Sequence, residues 1–140
     1  MVLKFRKNHP LAKVPKYALS GDAGLDLFSI EKKIIKSGVI SEVRTGIEIE
    51  LPPRTVGLVW DKGGTAKAGL KVTGGVFDEN YRGELIIIIT NLSRQDYRIE
   101  AGDKIAQLLI QKIEYPEINV VKKLSKSIRG KGRLGSTGKK

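Results

Sequence analysis

The chain is 140 residues long, contains no cysteine and one histidine, and carries a formal net charge of +11. That length suits a single domain burying about 70% of its unfolded surface in one core, and the missing cysteine excludes disulfides, thiol nucleophiles and cysteine-ligated zinc. No apolar run approaches the ~20 residues of a membrane helix and the N-terminus lacks the apolar stretch of a secretory signal, so the expectation is a cytoplasmic protein.

The charge is unevenly placed. Residues 1–16 carry five Lys/Arg and residues 122–140 carry eight, with no acid in either stretch, so residues 17–121 net −2. A nearly neutral body with two basic ends suits a phosphate-bearing ligand reached by arms, or a loose tether to nucleic acid. The lone His9, beside Pro10, reads as a solvated imidazole rather than a catalytic base.

After the basic start and a turn-rich stretch, Ala23 to Ser29 is a short apolar segment interrupted by Asp26. Ile34-Ile35 and Gly38-Val39-Ile40 follow, and then Val43 to Leu51, which alternates apolar and polar from Ile47 as a half-buried strand does and stops at Pro52-Pro53. Val56 to Trp60 predicts another strand, and Asp61 to Gly69 a Gly/Ala/Lys loop or single helical turn. Gly74 to Glu84 predicts a tight hairpin. Leu85 to Thr90 is a β-branched run apolar on both faces, which requires cover from a second sheet or another subunit. Tyr97 to Glu100 and Lys104 to Ile113 predict two more strands, and from Lys122 the Lys/Gly-rich tail has no core of its own. Short strands with Gly/Pro/Asn punctuation and no sustained helical period predict an all-β jelly-roll sandwich or barrel, with a body over 1–121 and a mobile basic arm over 122–140.

Several residues in this frame have chemistry to offer. Asp78 on the turn can orient and deprotonate a water, or simply cap a backbone amide. Tyr81 can pack on a ligand ring, and Gly74, Gly75 and Gly83 let main-chain groups approach a base edge. Asp26 in an apolar segment needs a partner: a hydrogen bond to a neighbouring strand, or Mg²⁺ through water. Asp61 to Gly69 resembles a phosphate nest but lacks the Walker A spacing. In the tail, Arg129 and Arg133 can clamp phosphates, and Gly135-Ser136-Thr137-Gly138 offers hydroxyls and backbone donors.

Taken in order, these segments resemble the five motifs of the trimeric dUTP diphosphatases: Ala23 to Leu27, a divergent Asp61 to Gly69, Gly75 to Gly83, Gly102 to Leu108, and Arg129 to Gly138. The resemblance implies a β jelly-roll homotrimer with each site at a subunit interface. It also implies hydrolysis of dUTP to dUMP and diphosphate with Mg²⁺, which removes dUTP and supplies dUMP for thymidylate synthesis. By the same resemblance Asp78 is catalytic, Tyr81 packs on the deoxyribose, and Asp26 organises the metal through water. The substrate-binding set is Gly75, Val76, Lys62, Gly63, Gly64, Gln107, Arg129, Leu134, Gly135, Ser136, Thr137 and Gly138.

Three departures stand out. Gly63 occupies the place of a serine, Thr65 that of a leucine with Lys67-Ala68 out of the usual order, and Leu134 that of a stacking phenylalanine. They motivate an alternative, a catalytically weakened nucleotide-binding or regulatory protein of the same fold. A nucleic-acid module using the basic termini is a third reading, which lacks interleaved aromatic and basic residues. A dCTP-deaminating relative lacks support at the second motif.

Overall fold

The computed structural model describes residues 1–133. Among them, in chain order, are β1 (Lys4–Lys7), β2 (Leu25–Phe28), β3 (Lys33–Ile35), β4 (Ile40–Glu50), β5 (Thr55–Trp60), α1 (Gly63–Lys67), β6 (Leu70–Val72), β7 (Val76–Phe77), β8 (Glu84–Asn91), β9 (Tyr97–Ile99) and β10 (Lys104–Lys112). One four-stranded sheet has the order β1-β4-β8-β6 and a second β2-β10-β5-β7, with β3-β9 as a small ribbon. All the pairings are antiparallel. The expected all-β jelly-roll is the fold observed.

Alternation decides which residues fill the space between the sheets. Leu85, Ile87 and Ile89 of β8 face inward with Val43, Ile47 and Ile49 of β4, against Leu27, Ile105 and Leu108 from the opposite sheet. Burying side chains of this size contributes roughly 1.5–3 kcal/mol each. The other face of β8 is not covered by the described residues, since Ile86 is exposed and Ile88 half-buried. In β4 the alternation is interrupted at Gly46, which has φ 66°, and the register to β8 shifts between Arg44 and Glu48. A Cβ at Gly46 would lie 2.8 Å from the Cβ of His9, so the glycine also lets the N-terminal segment cross the sheet closely. His9 is half-buried and its Nδ1 accepts the amide of Leu11 at 3.2 Å, so the free imidazole expected from the sequence is a backbone cap instead.

Two further expectations change. Strand β1 lies inside the basic start, where Lys4 pairs with Glu50 and Arg6 with Glu48 across β1–β4, so part of that charge is neutralised on the body. The segment Gly74 to Glu84 is not a hairpin. β7 pairs with β5 in one sheet while β8 lies in the other, so residues 78–83 cross from sheet to sheet. Only a crossing can deliver both neighbours, because β8 is already flanked by β4 and β6.

Candidate functional site

The crossing turn is held at both ends, which gives its side chains fixed directions. At its start the amide of Tyr81 donates to the carbonyl of Asp78 at 3.0 Å. At its end the Tyr81 hydroxyl donates to the Glu84 carbonyl at 2.7 Å, and the ring stacks at a tilt on Phe77 with centroids 5.5 Å apart. A Cβ at Gly83 would sit 2.4 Å from the Tyr81 Oη, so only glycine lets the ring fold back on the turn. Glu84 fixes the base of the turn: it accepts from Arg44 Nη2 at 2.8 Å and from the Gly46 amide at 2.8 Å. Burial opposes its ionisation, but Arg44, the Gly46 amide and Asn8 together hold its carboxyl below the usual range.

Asp78 itself is exposed, and among the described residues its carboxylate accepts no hydrogen bond and joins no ion pair. It lines a cleft of about 440 Å³ with Val56, Glu79, Asn80, Ile113 and Tyr115. The neighbouring acid is committed elsewhere, because Glu79 accepts the amide of Arg54 at 2.8 Å and the Tyr115 hydroxyl at 3.1 Å. Burial, and then hydrogen bonding to Glu79, push the Tyr115 hydroxyl above its ordinary pKa, so it stays a donor. Of the two carboxylates on this turn, Asp78 is the one available to a water.

A second constellation lies across the β2-β10-β5-β7 sheet, away from its β7 edge. Register places Gln107 of β10 opposite both Asp26 of β2 and Trp60 of β5, so the three form a row. Asp26 is 2% exposed. Its Oδ1 accepts Lys62 Nζ at 2.6 Å, and its Oδ2 lies 2.7 Å from Lys104 Nζ. Burial raises the cost of its charge, yet the adjacent ammoniums of Lys104 and Lys62 win and keep its carboxyl below the usual range. Gln107 Nε2 donates to the Asp61 carbonyl at 2.8 Å, and the Gln107 side chain lies so close to Gly24 that a Cβ there would be 2.6 Å from its Oε1. Lys62, Gly64, Thr65 and Lys104 line a cleft of about 390 Å³. Helix α1 begins there with no side-chain cap, and a Cβ on Gly63 or Gly64 would meet nothing within 4 Å. Two ammoniums beside open backbone, with Asp103 also in the wall, make a cradle that can offer donors to phosphate oxygens.

These two constellations are apart in one chain. Val76 is opposite Leu58 and Gln107 opposite Trp60, so Asp78 falls about four strand positions, roughly 13 Å, from the Gln107 row along β5. Asp26 and Asp78 belong to the two edges of the four-stranded sheet, three inter-strand spacings or roughly 14 Å across. A nucleotide whose innermost phosphate touches Asp78 cannot reach the Lys62–Lys104 cradle of the same chain.

Comparison with known proteins decides the family. The dUTPase family profile matches residues 11–138. The chain belongs to the dUTPase family. Among curated dUTPases, the deoxyuridine 5′-triphosphate nucleotidohydrolase of Clostridium acetobutylicum is 45% identical, the alignment covering 99% of this chain and 97% of that protein. The one from Clostridium tetani is 48% identical over 91% of this chain and 90% of its own. Among solved dUTPases, a mutant of the Staphylococcus bacteriophage 80alpha enzyme with dUpNHpp superposes with a TM-score of 0.91 at 28% identity, covering 98% of each chain. A mutant dUTPase from phage phi11 of S. aureus, described as revealing the coordination of a structural Mg(II) ion, gives 0.83 at 26% identity, covering 90% of this chain and all of that one.

Whether a dUTPase metal fits here can be tested on Asp26. Among the described residues no group of three or more His, Cys, Asp or Glu is arranged to hold a metal directly. The buried Oδ2 is close to Lys104 but makes no aligned hydrogen bond, so it keeps acceptor capacity for a water. The residues therefore fit a metal reached through water and not one ligated by protein oxygens.

Gly75 and Val76 lie at the sheet edge beside Asp78, and Gly75 is required there because a Cβ would sit 2.3 Å from the Val59 carbonyl oxygen. Arg129 is exposed, its carbonyl accepting the Gly132 amide at 3.0 Å. Leu134, Gly135, Ser136, Thr137 and Gly138 lie outside the described residues. Sequence reasoning gave no role to Lys104 or to the Arg44–Glu84 pair. Lys104 stands within the fourth motif, but its approach to Asp26 depends on the β2–β10 register and its irregularity between Lys104 and Ala106.

Proposed function

We propose that the chain hydrolyses dUTP to dUMP and diphosphate at sites completed between copies of itself, as a homotrimer. The observation that carries this reading is the unpaired Asp78 carboxylate on a turn pinned by Tyr81 and Glu84. It accepts a proton from a water positioned against the α-phosphorus. As the new P–O bond forms, the bond from that phosphorus to the bridging oxygen breaks and diphosphate leaves. Tyr81, fixed by its hydroxyl and by Phe77, supplies a rigid wall for the deoxyribose, where a 2′-hydroxyl would clash. β7 is a sheet edge, so the free side of its backbone at Val76 offers a donor and an acceptor to the uracil, while Gly75, whose carbonyl accepts the Val59 amide at 2.7 Å, lets the base approach closely.

The phosphates rest on another copy's Lys62, Gly63, Gly64 and Gln107. Asp26 would hold Mg²⁺ through water, and the ion when bound would supply charge neutralisation for the phosphates. Arg129 with Leu134, Gly135, Ser136, Thr137 and Gly138, within an arm running from about residue 122, closes over the outer phosphates. Assembly is supported by the separation of the two clefts, by the uncovered face of β8, and by Ile118 and Val120, which stand 90% and 93% exposed beyond the last strand. The cytoplasm, where such nucleotides are handled, is the proposed location.

The test is diphosphate release from dUTP, UTP, dTTP and dCTP by wild type and Asp78→Asn. The expectation is turnover confined to dUTP and a loss of about 10²–10⁴ in kcat for the variant. Equal rates for the two proteins would overturn the assignment of Asp78. The non-catalytic alternative has no support in this geometry.

A further inference from the structure

The basic N-terminal segment has no part in either cleft, yet it builds a cavity of its own. A hollow of about 550 Å³ opens between β1, residues 12–16, β2 and the start of β10, lined by Lys7, Lys13, Lys16 and Lys104 around Phe28, with no acidic side chain in its wall. We propose that it is a second anion site, adjoining the cleft beside Asp26 through Lys104, that takes a compact polyphosphate such as diphosphate or triphosphate.

Three observations converge on this. The lysines are held by the fold and are not a loose tail: the Asn8 amide donates to the Gly46 carbonyl at 2.9 Å, Ala12 is buried, and the Asp26 amide donates to the Lys16 carbonyl at 2.8 Å. Two of the ammoniums are already positioned. Lys13 Nζ donates to the Gly102 carbonyl at 3.3 Å and lies 5.5 Å from the centroid of the Phe28 ring, while Lys104 Nζ is fixed by Asp26. Such preorganisation lowers the ordering cost of binding. Finally, part of the charge gathered here is unanswered. Lys4 and Arg6 on the same strand have Glu50 and Glu48 as partners, whereas among the described residues Lys7 and Lys16 join no ion pair. Like charges gathered around one cavity raise the local potential, and a multiply charged anion relieves it.

The class of ligand follows from the walls. Lysines bind phosphates as point charges without demanding a planar fork. Phe28 is 7% exposed and already faced by Lys13, so it offers no platform for a base to stack on. That favours a short phosphate chain over a nucleic-acid strand. Because Lys104 lines both this hollow and the cleft beside Asp26, an anion bound here competes with Asp26 for Lys104 and reports on the neighbouring phosphate cradle.

Titration calorimetry of the full chain with inorganic diphosphate and with tripolyphosphate, at low and at physiological ionic strength, tests the site without relying on hydrolysis. The wild type is expected to show two classes of diphosphate site. The double variant Lys13→Gln/Lys16→Gln is expected to lose the class that Lys62→Gln leaves intact, its affinity there falling about tenfold or more, with the KM for dUTP changed less than about twofold. Thermal melting checks that the double variant stays folded. Diphosphate binding unchanged in the double variant, or a single class abolished by Lys62→Gln alone, would overturn the proposal. So would an oligonucleotide that binds through Lys13 and Lys16 where diphosphate does not.

Discussion

Replacing Gly63 by serine tests the phosphate cradle by adding to it. A Cβ at Gly63 meets nothing within 4 Å, and its φ is not in the left-handed region, so the side chain enters without displacing a neighbour. Gly63 is the first residue of α1, which has no side-chain cap, and serine is if anything better tolerated than glycine in a helix, by a few tenths of a kcal/mol. A hydroxyl there adds one hydrogen bond to a charged phosphate oxygen, about 1.5–3 kcal/mol. If that bond strengthens only as charge develops on the leaving diphosphate, kcat rises by roughly ten- to a hundredfold. If it is equally strong in the bound substrate, the same energy lowers KM and leaves kcat alone. Steady-state diphosphate release over a range of dUTP concentrations separates the two. Unchanged kcat and KM in a variant with unaltered melting would refute the reasoning, since no phosphate could then approach residue 63.

Asp26→Asn leaves Lys62 and Lys104 without their shared carboxylate. Both ammoniums can turn toward water, so the expected loss is about 1–3 kcal/mol in urea unfolding at neutral pH. Because the folded protein holds Asp26 and Glu84 below their unfolded pKa values, their contributions are present above about pH 4 and disappear as pH falls through the folded values. The stability–pH curve of Asp26→Asn is therefore expected to be flatter on its acid side. Gly75→Ala drives a methyl into the Val59 carbonyl, which cannot rotate away, so melting falls by the equivalent of about 1–3 kcal/mol. Gly83→Ala places a methyl 2.4 Å from the Tyr81 Oη and so pushes the ring off its seat, and its kcat/KM for dUTP is expected to fall more than its melting temperature. Ending the chain before Arg129 leaves melting unchanged, since the described residues it removes, 129–133, contain no strand or helix, while turnover drops by roughly a hundredfold. Retained turnover would remove the arm from the reaction.

Period-2 patterning made most strands readable from sequence. Glu48 and Glu50 alternate with Ile47, Ile49 and Leu51 in the very register that the fold buries. β1 was hidden because its residues were read as net charge, although Leu3 and Phe5 already alternate with Lys4 and Arg6. Its evidence lay in the partner strand, where Glu48 and Glu50 supply the opposite sign. The supposed hairpin failed for a similar reason. Glycines and Asp78 mark a turn, but which strand each flank joins depends on pairings with β5, β4 and β6, which local propensity does not encode. Asp26 was legible as a buried acid needing a partner. That its partners are both lysines, one of them Lys104, follows from a three-strand register that no window of sequence contains.

Because Asp78 and the Asp26 row occupy opposite edges of one sheet, the proposed assembly has each polypeptide contribute its water-activating half to one reaction and its phosphate-holding half to another. A mixture of two inactive variants, one lacking Asp78 and the other Lys62, can therefore pair the sound half of each and regain part of the lost turnover, whereas neither recovers when mixed only with itself. Selection acting on one edge of the sheet is thus felt at a neighbour's chemistry before it is felt at the chain's own.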